Sequence, residues 1–386
     1  MRMAYSSAVA LPLACVAEVI GAMRDLLRDA IDGISELSPR RFPWRRFLFA
    51  LALGTVGGWL FAHYRLPLPW MLGSMVFCTV AAIARAPVAA PPVIRPPMSA
   101  VIGVMLGSGF KPEIIAQMPN WLPTIGGLVL FMVACGLCCV TYFRRVAGYD
   151  PVTAFFSGMP GGLVEMVITG EEKGGDARTI ALIHSARILL VVMTLPFIVQ
   201  WLEGVSLGIN RNTGPSMFQT SALGWFWLVA SAIAGVMLAH ALRMPAKQLL
   251  GPMLVSAIVH LVGFSDSVPP YEIVNVAQLI LGVTIGCRFV GTPPQAILRI
   301  LLISVGSTVI LVALTLVFAF LVAHVSSYKP VPLILAYSPG GLAEMSLIAL
   351  ALHTEVAFVA AHHIIRVFLV MIGAGPLFGF IVGKKT

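Results

Sequence analysis

Six side chains of this sequence form two triplets with one spacing: Glu165, His184, Arg187 and Glu344, His363, Arg366. A shift of 179 residues lays one triplet on the other without a gap. A carboxylate can hold a proton or a metal cation. An imidazole titrates near neutral pH, and a guanidinium fork grips carboxylates bidentately. Each His and its Arg stand at i, i+3, so on a helix they share one face. Each Glu follows a helix breaker, in Met159-Pro160-Gly161-Gly162-Leu163-Val164-Glu165-Met166 and in Ser338-Pro339-Gly340-Gly341-Leu342-Ala343-Glu344-Met345. Proline removes a backbone donor and cannot continue a helix, and two glycines allow a sharp turn and close approach to a ligand. A half-helix restarting at Leu163 or Leu342 presents free N–H groups and the positive end of its dipole, which suits an anion.

Structural readings compete with this one. Glu165–Arg187 and Glu344–Arg366 also fit static ion pairs, and His184 and His363 also fit hydrogen-bonded core residues. His362 adjoins His363, so the two face different ways and make a poor metal pair. Asp176 and Glu355 superpose as well, but they precede helical runs and read as caps or first-turn acids. Ser157, Tyr337 and Ser338 stand near the breaks as further polar groups.

The surroundings set the cost of these groups. The chain has 386 residues, 59% hydrophobic and 11% charged, with mean hydropathy +0.94. Soluble domains carry roughly a quarter charged residues. Apolar stretches of about 20 residues, the length that spans a bilayer, recur from Phe47 to Val382. The composition predicts an all-α polytopic membrane protein. The net charge of +9 and pI near 9.5 come from short basic loops, with no zinc-finger spacing and no basic stripe for nucleic acid. Cys135 and Cys138 form a CxxC, but no second pair or nearby His cluster completes a metal site, and the thiols read as small core residues. No cofactor is expected. The expected partners are a small-molecule or ion substrate, the lipid bilayer and a second copy of the chain as a homodimer.

Residues 1–46 form a leader. Residues 1–20 read as signal-like or interfacial. Ile20, Met23, Leu27, Ile31 and Ile34 then line one face of an amphipathic helix over 19–37. Apolar runs follow at 47–63, 67–84, 97–117, 121–143, 151–170 (broken at Pro160) and 179–202. A polar linker covers 203–220. The second half, 221–386, repeats the layout with runs at 222–242, 246–264, 272–290, 296–325, 331–351 and 355–382. Leu66-Pro67 matches Met244-Pro245, and Gly103–Phe110 matches Gly282–Phe289. Residues 47–202 and 221–386 therefore read as two copies of one unit within one membrane domain.

If every run crosses, the halves are parallel, and Arg243, Lys247, Arg288 and Arg299 fall outside. If the two Pro-Gly-Gly segments are re-entrant, each half has five spans and the halves are inverted. The cytoplasmic side then holds Arg40, Arg41, Arg45, Arg46, Arg85, Arg95, Arg144, Arg145, Lys173, Arg178, Arg243, Lys247, Arg288, Arg299, Lys384 and Lys385. Only Arg65, Lys111, Arg211 and Lys329 lie outside. Sixteen against four favours inverted-topology repeats, each about five spans plus a broken or re-entrant Pro-Gly-Gly segment, with both termini cytoplasmic.

The doubled Pro-Gly-Gly-Leu-x-Glu-Met, followed by His-x-x-Arg, resembles the AbrB-duplication family of bacterial inner-membrane proteins, whose members are labelled regulators or ammonia monooxygenases. The likeness covers nearly all of 47–382 and implies the bacterial inner membrane. A monooxygenase needs convergent metal ligands, which the scattered histidines do not supply. A sensor or regulator of gene expression is the other alternative. The repeat logic is that of a secondary transporter for a small anionic solute coupled to H⁺ or Na⁺. Its substrate- or ion-binding residues would be Pro160, Gly161, Gly162, Glu165, His184, Arg187, Pro339, Gly340, Gly341, Glu344, His363 and Arg366.

Overall fold

The computed structural model describes residues 42–204, 214–242, 244–352 and 354–381, with Ser35 and Ser38. Apart from Ser35, the amphipathic segment expected over 19–37 lies outside the described residues, as does most of the linker. Among the described residues the chain is helical, without strands.

The first half carries α1 (Trp44–His63), α2 (Pro69–Ile83), α3 (Arg95–Gly107), a short α4 (Glu113–Gln117), α5 (Leu122–Arg145), α6 (Pro151–Gly158), α7 (Leu163–Glu172) and α8 (Ala177–Glu203). The second carries α9 (Ala222–Ala241), α10 (Lys247–Leu261), α11 (Tyr271–Gly286), α12 (Pro294–Val325), α13 (Pro330–Tyr337), α14 (Leu342–Ala351) and α15 (Val356–Ile381). Prolines at the first helical position open α2, α6, α12 and α13, where a missing N–H costs nothing. The apolar run at 97–117 is not one helix. α3 stops at Gly107, and Pro112 disfavours helical backbone at the residue before it.

Among the described residues seven helical stretches are long and apolar enough to span a membrane, and α2, α10, α14 and the stretch 92–107 are shorter apolar helices. Their outer faces expose Leu48, Trp59, Leu130, Leu137, Ile233, Leu302 and Val309. In water this belt would be a large aggregating patch, whereas lipid solvates it. The protein is an all-α polytopic membrane protein.

Close glycine contacts knit the bundle. Gly57 of α1 meets Gly73 of α2 backbone to backbone, and Gly235 of α9 meets Gly251 of α10 in the same way. A Cβ at any of the four would collide with main chain. The halves also exchange contacts. Gly103 and Gly107 of α3 lie on the Leu249 and Met253 carbonyls of α10, while Gly282 and Gly286 of α11 lie on those of Met71 and Met75 of α2. Such small residues let apolar helices approach closely where no water drives them together.

Candidate functional site

Each Pro-Gly-Gly segment separates two short helices, of 8 and 10 residues in both copies. At 1.5 Å rise per residue neither piece covers more than about 15 Å. The first pair folds back on itself. Gly170, near the end of α7, packs on Phe156 of α6, and Gly175 packs on Val152 at the start of α6. The Asp176 amide donates to the Thr153 hydroxyl at 2.9 Å. Residues 151–176 are therefore a helical hairpin with both ends at one place and the break at its tip. The second copy closes alike. Tyr328, before α13, stacks on Phe358, in the first turn of α15, with ring centroids 4.4 Å apart.

Between the short helices the chain is extended, with ψ of 135° at Met159 and 142° at Gly162. This strands carbonyls that a continuous helix would have satisfied. His184 and Arg187 of α8 serve them. Arg187 donates from Nη1 to the Met159 carbonyl at 3.0 Å and from Nη2 to the Gly161 carbonyl at 3.3 Å. Its Nη2 also lies 2.9 Å from His184 Nδ1, and His184 Nε2 lies 2.8 Å from the Phe156 carbonyl. The second copy repeats the circuit. Arg366 donates to the Ser338 carbonyl, and to that of Gly340 at 2.9 Å. His363 lies 2.9 Å from both Arg366 Nη2 and the Leu335 carbonyl.

The chemistry fixes the tautomer. A guanidinium only donates and a carbonyl only accepts. Each imidazole must accept at Nδ1 and donate from Nε2–H, so it is neutral. The two histidines orient the arginines, and a second proton on either ring would face a cation. The arginines in turn place positive charge at the carbonyl end of α6 and α13, where the helix dipole favours it.

Glu165 and Glu344 sit in the first turn of α7 and α14. Each carboxylate folds back over the glycine before its helix, so a Cβ at Gly162 or Gly341 would collide with it. Neither acid pairs with its arginine. The bonds of Arg187 and Arg366 go to carbonyls and imidazoles. Glu344 is 8% exposed, while Glu165 is half-buried. Pro160, Pro339 and Gly340 are buried, and Gly161, Gly162 and Gly341 are half-buried. Asp176 caps α8 by accepting from the Arg178 and Thr179 amides.

The two breaks lie close together. A Cβ at Gly161 would meet Val370, one turn beyond Arg366 on α15. Arg187 and Arg366 feel each other's charge, and Cys135 of α5 feels both. The guanidiniums are 4% and 6% exposed. The Nε atoms of both, with the hydroxyls of Ser157 and Ser346, are buried without a partner. Two buried cations thus stand near each other, each with a free donor and, among the described residues, neither with a carboxylate bound. Among the described residues no three His, Cys, Asp or Glu side chains gather as metal ligands would.

The sequence reading missed Arg288, which follows α11. Its Nη1 donates to the Ser185 hydroxyl of α8 at 3.3 Å, and its charge interacts with that of Glu344. The signal was present: Arg288 is the one charged departure from the match of Gly103–Phe110 with Gly282–Phe289.

These features define a polytopic helical membrane protein with two broken hairpins whose tips gather polar and charged groups. Residues 70–382 match the family described as "Transition state regulatory protein AbrB". The chain belongs to this family. It is 26% identical over 354 residues to "Uncharacterized protein YhjN" of Bacillus subtilis (strain 168), covering 86% of this chain and 92% of that protein. It is 22% identical over 324 residues to "Putative regulator AbrB" of Escherichia coli (strain K12), covering 83% and 90%.

Proposed function

We propose that the protein is a secondary active transporter of a small anionic solute, coupled to H⁺ or Na⁺, in the bacterial inner membrane. The observation that carries this reading is the pair of buried guanidiniums, Arg187 and Arg366, with unpartnered Nε atoms and no carboxylate counter-ion among the described residues. Burying an uncompensated charge costs several kcal/mol, and two adjacent cations raise that cost further. An anion supplied from solution offsets it. The half-helix N-termini at Leu163 and Leu342 add free backbone donors beside the same place. Glu165 and Glu344 are the groups available to a coupling cation. His184 and His363 act as rigid spacers for the arginines rather than as proton carriers.

Inverted repeats would provide alternating access, one hairpin-bearing element moving against the other. The hairpin closure at Asp176–Thr153 supports this, because a hairpin does not cross. Each half then has five spans, and the second enters the membrane from the opposite side. The excess of basic residues in the loops of one side favours cytoplasmic termini on that arrangement.

The test is flux in proteoliposomes loaded with a pH dye and challenged with short mono- and dicarboxylates. Wild type should move protons with at least one of these solutes. Glu165→Gln together with Glu344→Gln should abolish coupled proton movement. Unchanged flux in that double variant would remove the acids from the mechanism. The name of the Escherichia coli relative, a regulator, favours a regulatory reading. Deleting residues 1–40 separates the two: signalling would be lost while flux persists.

A further inference from the structure

We propose that alternating access moves α5–α8 and α12–α15 together, as one hairpin-bearing body, along a fixed body made of α1–α3 and α9–α11. The proposal rests on the transport reading above and names the parts that move.

Helix packing divides the chain across its halves. α1 packs on α2, α2 on α11, α11 on α3, α3 on α10 and α10 on α9. Separately, α5 and α8 pack on α12, and both hairpins and α15 close around them. Each body thus takes equivalent helices from both halves. The border between them is thin: its main contacts are those of α8 with α2 and α11, and of α14 and α15 with α3. The helices on the moving side of this border carry Arg187, Glu344 and Arg366.

Bonding follows the same division. The close contacts of Gly57 with Gly73, of Gly235 with Gly251, and of Gly103, Gly107, Gly282 and Gly286 with neighbouring carbonyls all lie inside the fixed body. Ser256 of α10 also donates to the Val104 carbonyl of α3 there, at 2.8 Å. Both arginine circuits lie inside the moving body. At the border, by contrast, a Cβ at Gly109 would make ordinary contact with Val356 Cβ of α15, at 3.5 Å. The hydrogen bonds that cross it among the described residues are long and come from arginine side chains. Arg178 Nη2 donates to the Gly291 carbonyl at 3.4 Å, and Arg288 Nη1 to the Ser185 hydroxyl at 3.3 Å. Apolar contact is non-directional, and packed helices slide past each other in small steps along such a surface. The chain passes between the bodies at 108–121, between α8 and α9, and at 287–293. The first passage carries only the five-residue α4, and Gly204 and Gly291, at the other two, have φ of 65° and 79°. Sliding therefore strains no long helix among the described residues, and it carries both tips along α2, α3 and α11 so that the site opens to one side of the membrane at a time.

The test measures distances in full-length protein in liposomes. Spin labels on unnatural amino acids replace pairs of exposed residues: Val262 with Trp201 across the border, Tyr64 with Val262 inside the fixed body, and Trp201 with Val325 inside the moving one. The cross-border pair should show two distances at least about 5 Å apart, one helical turn, and each inner pair a single distance. Gly109→Cys with Val356→Cys places two thiols at a separation that suits a disulfide. Its oxidation should leave one cross-border distance and stop proton flux, and dithiothreitol should restore both. Gly224→Cys with Ser267→Cys, whose Cβ atoms would lie 3.2 Å apart inside the fixed body, should change neither when oxidised. A single cross-border distance in the unlocked protein, or flux that survives the lock, overturns the proposal. A protein that shows two distances but moves no solute would refute the transport reading alone.

Discussion

The two hairpins share one hydrogen-bond circuit and differ in how the rest of the protein holds them. In α14 every residue from Glu344 to Ala349 is buried, whereas in α7 only Met166 and Gly170 are, and Val164 and Ile168 are exposed. Directional bonds anchor the second hairpin. Tyr337 donates its hydroxyl proton to the Thr124 carbonyl at 2.5 Å and stacks on Phe131. His362 lies 2.9 Å from the Thr124 hydroxyl, and Trp121 donates to the Tyr328 hydroxyl at 2.8 Å. The shift of 179 puts Gly158 and Ile183 where Tyr337 and His362 stand, so the first hairpin has no such clamp. It packs through Phe155, Phe156, Met159 and Met166 on Val370 and Ala374 of α15. Apolar contact is non-directional and tolerates sliding, while a buried polar network holds one arrangement. One hydrogen-bond circuit is thus built twice, once clamped by directional bonds and once held by apolar contact.

The largest expected effect breaks the shared circuit. Arg366→Met and Arg187→Met each strip three bonds from carbonyls and imidazole and should cost about 3 kcal/mol of stability, in the range for buried charged hydrogen bonds. Thermal unfolding in detergent measures this, and Arg366→Met should be the worse of the two. A smaller effect would erase the difference between the hairpins. Tyr337→Phe with His362→Leu should cost about 1–2 kcal/mol, and hydrogen exchange in α13 and α14 should rise towards that of α6 and α7. Thr153→Val removes the bond that closes the first hairpin and should cost about 1 kcal/mol, with faster exchange at the Asp176 amide.

The smallest effects are the pH dependences of the superposed acids that precede α8 and α15. The hydroxyl of Thr179 and two backbone amides hold the Asp176 carboxyl below its ordinary range. Its contribution is therefore present above the unfolded carboxyl range and lost as pH falls through the lowered folded value. Loss of solvent around Glu355 pushes its carboxyl up. Ionised Glu355 therefore weakens the fold above its raised value, and the penalty fades as pH falls through it. Asp176→Asn should flatten the acid loss of stability, and Glu355→Gln should raise melting temperature slightly at neutral pH.

Much of this was legible in the residues. The apolar runs located most of the long helices, Pro-Gly-Gly located both breaks, and the i, i+3 spacing put His184 with Arg187 and His363 with Arg366. The partners of the arginines were not legible. Charge suggested Glu165 and Glu344, but an extended break strands carbonyls, and the nearest cation caps them. The clamp on the second hairpin joins residues more than 200 positions apart, a distance over which no local pattern speaks. The end of α3 at Gly107 was hidden because apolar side chains continue past the point where Gly109 and Pro112 end the helix.

If the paired tips form the proposed transport site, with Glu165 and Glu344 supplying the coupling groups, carboxylate-driven proton flux in proteoliposomes should be present in wild type and lost in the folded protein carrying Glu165→Gln with Glu344→Gln. No flux in wild type with any carboxylate offered, or equal flux in the two proteins, would contradict that reading.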